Sequence, residues 1–165
     1  MKTRLGDIFI GALRILAAAW LGFLVAFLPL YIFRGVYHKP DAAIWEDVLM
    51  AAVGIIAGSL ILMLLIARND RSAKLDNKCM YIEAGGAVGV YVAAWLIAWL
   101  FGGNNYIVAA CGYHLSRLIG ANEELRPTFW GALGGAVICC AFYMGAMMLG
   151  VLIARRGKNK GRNSL

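Results

Sequence analysis

The residues able to do acid–base or metal chemistry are few, and they cluster in two connecting segments. His38, Asp41, Glu46, Asp47, His114, Glu123 and Glu124 all lie in or beside them. Two imidazoles among carboxylates could hold zinc or a harder cation if the segments converged. Their spacing matches no ligand signature, however, and there is no H-E-x-x-H helix. Helix caps and interface polarity account for these residues equally well, so no metal is expected. His114 and Ser116 are two apart, on different sides of any helix, and make no nucleophile–base pair. They leave His38, Asp41, His114, Arg117 and Glu123 as candidates for recognition at one face.

Cys79, Cys111, Cys139 and Cys140 form no C-x-x-C, and only Cys111 is expected to face an oxidising compartment. A disulfide framework and a thiol relay are therefore not expected, and the cysteines read as small apolar filler. The glycine-rich stretch Gly131-Ala132-Leu133-Gly134-Gly135 is followed by no Lys or Ser, so it is no phosphate cradle. With two histidines, four serines and two threonines in 165 residues, the expectation is a non-enzymatic protein without a cofactor.

The elements that position these residues follow from composition. Sixty-two per cent of the chain is hydrophobic and 15% charged, against about 45–50% and about 25% in soluble domains. A soluble enzyme domain and a disordered chain are excluded. Ile8–Phe33, Val48–Ala67, Ile82–Phe101 and Phe129–Ala154 are each long and apolar enough for a bilayer core, which needs about 20 helical residues. Charges are missing from the second and fourth runs, from Ile15 on in the first and from Ala84 on in the third. Within lipid every backbone N–H and C=O must be satisfied inside its segment. The fold class is thus all-α: a polytopic membrane bundle of four helices in a single domain. Asp7, Asp41 and Thr128 are placed to cap first turns. Pro29 is expected to kink the end of the first span.

Twelve basic residues fall on one side of this map, including the tail Arg155, Arg156, Lys158, Lys160 and Arg162. Four fall on the other: Arg34, Lys39, Arg117 and Arg126. This asymmetry predicts a cell-membrane protein with both termini cytoplasmic. The basic tail (155–165) suits anionic lipid headgroups better than nucleic acid, and the net charge of +7 is mainly this orientation signal.

An internal duplication is also suggested. Pro40 and Pro127 each stand 28 residues before the arginine of a Leu-Ile-Ala-Arg tetrapeptide, ending at Arg68 and Arg155. At the same offset Gly58 aligns with Gly145. Ala18-Ala19-Trp20-Leu21 aligns with Ala93-Ala94-Trp95-Leu96. Two tandem, parallel two-helix hairpins would result. The second carries an insertion, and its patterning over Asn105–Ile119 predicts a short amphipathic helix lying on the outer interface, with Tyr113, His114 and Arg117 on its polar side.

Small residues at four-residue spacing supply packing seams: Gly54 with Gly58, Gly85 with Gly89, Gly131 with Gly135, and Ala141 with Gly145. Ser59, Tyr91 and Tyr143 each lie near the middle of a span and are candidates for a polar cluster at one depth. Arg14 and Glu83 are placed to pair near the inner interface. Three functional readings follow. The first is an accessory or self-associating subunit, as a homo-oligomer or with a larger membrane partner. The second is a small permease or channel protomer. The third is an enzyme built on the outer histidines and carboxylates.

Overall fold

The structure is a computed structural model that describes residues 5–37, 44–69, 71–101, 106–122 and 126–162. Helix α1 spans Leu5–Tyr37, α2 Ile44–Ala67 and α3 Asn77–Leu100. Two short helices follow, α4 (Tyr106–Ala109) and α5 (Cys111–Ile119), and then α6 (Phe129–Arg162). A single 3-10 turn, Ser72–Lys74, lies between α2 and α3. The four long helices are each long and apolar enough to cross a membrane, and they mark the chain as a multi-pass membrane protein.

Helix ends are set by particular side chains. Asp76 caps α3 by accepting from the backbone N–H of Cys79 at 2.7 Å. Thr128 caps α6 through a 3.2 Å bond from Gly131 N–H, as its place after Pro127 leads one to expect. Asp7 is not a cap. It sits within the first turn of α1 and its carboxylate bonds Arg71. Asp41 lies outside the described residues. Helix α1 continues through Pro29 to Tyr37.

Helix α1 packs on α2 and α3, and α6 packs on the same two, giving a square in which α1 and α6 stand at opposite corners. The beginnings of α1 and α3 meet the ends of α2 and α6 at one end of the square, here called the terminal end. Contact between lipid-solvated helices depends on close approach rather than on hydrophobic drive, and the core reflects this. Ala18, Ala19, Ala87, Ala132 and Ala136 are almost wholly buried around Ile15, Leu62, Trp95 and Tyr143. Larger apolar side chains such as Leu13, Leu21, Ile56, Leu60, Ile97 and Val137 point outward. Such a surface suits hydrocarbon as its solvent, since soluble monomers rarely expose contiguous apolar patches this extensive.

Helices α1 and α2 meet backbone to backbone. A Cβ on Gly22 would meet the backbone of Gly54 and come within 2.8 Å of Gly58 Cα, and one on Gly58 would meet the carbonyl of Ala18 at 2.9 Å. Glycine is required here because backbone faces backbone.

Candidate functional site

The segment expected to lie flat on the outer surface does not do so. It folds back into the square as a re-entrant hairpin, with α4 descending, Ala110 at the tip and α5 returning. The hydroxyl of Tyr91, fourteen residues into α3, donates to the carbonyl of Val108 at 3.0 Å. Cys111 lies against Gly54, ten residues into α2, where a Cβ would overlap its side chain. A Cβ on Gly112 would strike the ring of Trp95 and lie 3.1 Å from Cys139 Sγ. Ten residues of helix correspond to about 15 Å of depth, so the tip reaches the middle of the bundle. Ala109, Ala110 and Cys111 are at most 1% exposed. Non-helical backbone at such depth is tolerated only where protein surrounds it, and α2, α3 and α6 do so here.

Small residues make the insertion possible. Gly131 faces the carbonyls of Ser116 and Gly120, and Gly135 faces the Ser116 hydroxyl, which itself bonds the Gly112 carbonyl at 2.8 Å. Gly120 then ends α5, and Thr128 N–H bonds its carbonyl at 2.8 Å. The chain doubles back through an isolated pairing of Ala121 with Pro127.

At the mouth of the hairpin the polar side of α5 faces inward, which corrects the outward placement of His114 and Arg117. His114 Nδ1 lies 2.6 Å from Asp47 Oδ1, and Arg117 Nη1 bonds the same oxygen at 3.1 Å. Asp47, Glu46 and His114 are all buried. Of the other outer-face candidates, His38, Asp41 and Glu123 lie outside the described residues. Cys111, expected to face an oxidising compartment, is instead buried. No group of three metal-ligating side chains is found among the described residues.

The three mid-span hydroxyls separate. Tyr91 and Tyr143 meet edge to face with ring centroids 5.8 Å apart. Ser59 lies instead on a groove between α2 and α6 with Gly145 and Ala141, and its buried hydroxyl has no hydrogen-bond partner among the described residues. The seams separate too. Gly54, Gly58, Gly131 and Gly135 are consumed inside the chain, whereas a Cβ on Gly85, Gly89 or Gly145 meets nothing within 4 Å.

At the terminal end, Arg71 bridges two helices. One guanidinium nitrogen bonds Asp7 of α1 and the other bonds Glu83 of α3 at 3.0 Å. The hydrogen bond that Arg71 donates to Asp7, with the nearby charge of Glu83, holds the Arg71 pKa above its ordinary value. The expected partner of Glu83 was Arg14; Arg71 takes that place, and Arg14 lines the same cavity. Arg155 reaches back to Asn77 Oδ1 at 2.7 Å and to the carbonyl of Leu75, so its charge is turned to the α2–α3 connection. Arg156 and Lys158 are exposed.

Sequence patterning missed the insertion because it weighed the amphipathic period of the segment over its run of small residues. Ala109-Ala110-Cys111-Gly112, inside an otherwise long loop, was the available signal. Gly22, Arg71 and Ser116 carried no motif. No protein-family model, curated protein or solved structure matches this chain.

Proposed function

We propose that the protein is a non-enzymatic multi-pass subunit of a cell-membrane assembly, with both termini cytoplasmic, associating with a second copy or a larger membrane partner. The observation that carries this reading is the outward face of α3. Gly85 and Gly89 are exposed, one helical turn apart, with open space beyond each, while the other glycine pairs, apart from Gly145, are occupied by the chain's own helices. A small-residue face open to lipid lets a partner helix approach closely enough for backbone contact. The basic asymmetry supports the orientation, and exposed Arg156 and Lys158, with Lys160 and Arg162 further along the chain, suit anionic headgroups. Native mass spectrometry and crosslinking, first in membranes and then in detergent, test the proposal. The wild type should run as a complex that Gly85→Leu with Gly89→Leu dissociates. A partner-free monomer in both settings would overturn it.

The re-entrant hairpin favours a second reading, a permease or channel protomer, because such segments accompany solute paths as well as packing. Flux into proteoliposomes that falls with Tyr143→Phe or Ser59→Ala supports that alternative.

A further inference from the structure

We propose that the cavity at the terminal end binds one small monovalent anion, of the size of chloride or formate, between Arg14 and Arg71. The cavity is about 80 Å³ and is bounded by all four long helices and the α2–α3 connection. A single water needs about 10–15 Å³ on this measure, so the space suits a halide or a short carboxylate and is too small for a sugar or nucleotide. Its polar lining is Asp7, Arg14, Asn69, Arg71, Ser72 and Glu83.

The hydrogen bonds among these groups decide the sign of the ligand. Two arginines and two carboxylates balance in formal charge, but both carboxylates are already bonded by the terminal nitrogens of Arg71, so the donors left over are Arg71 Nε and the Arg14 guanidinium. Arg71 Nε is buried and has no hydrogen-bond partner among the described residues. Arg14 makes no hydrogen bond or ion pair among them either; its charge acts on Glu83 only through space. A buried guanidinium N–H without a partner is costly, and an anion that accepts from Arg71 Nε and from half-buried Arg14 relieves that cost. The surrounding end of the bundle adds Arg68, Lys74, Lys78, Arg155 and Arg156, whose field raises the local concentration of anions. The site is independent of any partner at the α3 face.

The test is thermal unfolding of the purified protein in detergent, with sodium chloride or sodium formate exchanged for sodium gluconate at constant ionic strength. Gluconate is too large for the cavity. Chloride and formate should each raise the midpoint saturably, by about 2–4 °C. Arg14→Gln should raise the half-saturating concentration about tenfold. Arg14→Lys should fall between, and Arg156→Gln should respond as the wild type does. Crystals of the wild type grown with bromide should show an anomalous peak between Arg14 and Arg71, a readout that does not depend on the variants folding. Equal midpoints in all three salts, an undiminished response in Arg14→Gln, or bromide absent from the cavity would overturn the proposal.

Discussion

One oxygen of Asp47 holds the re-entrant hairpin to α2: it lies 2.6 Å from His114 Nδ1 and 3.1 Å from Arg117 Nη1. The two α5 side chains are three residues apart, so they project from the same face of the helix. The pairing joins residues 67 and 70 positions apart in sequence. It closes the mouth of an insertion whose tip is held separately by Tyr91.

Removing that oxygen should therefore cost more than removing either donor. Asp47→Ala leaves the Arg117 charge desolvated without its partner, and breaking a pair this buried costs about 3 kcal/mol. Asp47→Asn keeps an acceptor for one donor and should cost less. The double variant Asp47→Ala/Arg117→Ala should be less destabilised than the sum of the two single changes. Unfolding followed in detergent by circular dichroism measures all four proteins, and strict additivity would show that the two groups do not interact.

Two glycines should respond to the same substitution with opposite sign. Gly22→Ala drives a methyl into the Gly54 and Gly58 backbone, which must separate α1 from α2 at about 1–3 kcal/mol. Gly85→Ala meets nothing and should stabilise the monomer by about 0.5–1 kcal/mol through helix propensity. Unfolding midpoints of the two variants check the contrast.

The same contrast shows how much was legible beforehand. Charge-free length alone fixes the four long helices, because lipid admits no other way to satisfy their backbone, and Thr128 after Pro127 marks the start of α6 correctly. Which face of each helix turns inward is another matter. In a chain where nearly every side chain is apolar, periodicity carries little contrast, so Gly54 and Gly85 look alike in sequence although one is filled by Cys111 and the other is open. The pairing of Glu83 with Arg71 rather than Arg14 depends on the path of the α2–α3 connection, where Ser72 N–H bonds Asn69 and Lys74 N–H bonds Arg71. No spacing rule encodes that path.

The cap of α3 should titrate. Bonds from Cys79 hold the Asp76 carboxyl below the usual carboxylate range. A lowered folded-state pKa gives stabilisation that is complete above the ordinary value of about 3.9 and lost as pH falls through the depressed one. Amide exchange at Cys79 should therefore be protected at neutral pH and accelerate in acid. Asp76→Asn keeps an acceptor and should abolish the pH dependence while retaining protection.

At the tip, Ala110 adopts φ 45° and ψ −120°, a conformation that glycine takes readily and an L-residue does not. Ala110→Gly should stabilise the protein by about 1 kcal/mol, and Ala110→Val should destabilise it by at least as much. Unfolding midpoints read both. Equal behaviour of the two would mean that the turn relaxes at no cost.

Insertion of the hairpin can be read at a single atom. Cys111 is 1% exposed, with its side chain pressed against Gly54, so a thiol reagent reaches it only when the hairpin lifts out. In a variant keeping Cys111 as its one cysteine, maleimide labelling in detergent should be slow and governed by that opening. Asp47→Ala removes the tie at the mouth while leaving the packing around Cys111 unchanged. If the tie contributes about 3 kcal/mol to the closed state, labelling should quicken about a hundredfold. Tyr91→Phe, which loses the bond to Val108, should quicken it by less, since hydrogen bonds in membrane hosts contribute about 0.6–2 kcal/mol. A helix lying free on the outer surface would behave otherwise: Cys111 would label at the rate of an exposed thiol in every variant, and the Asp47 substitution would change nothing.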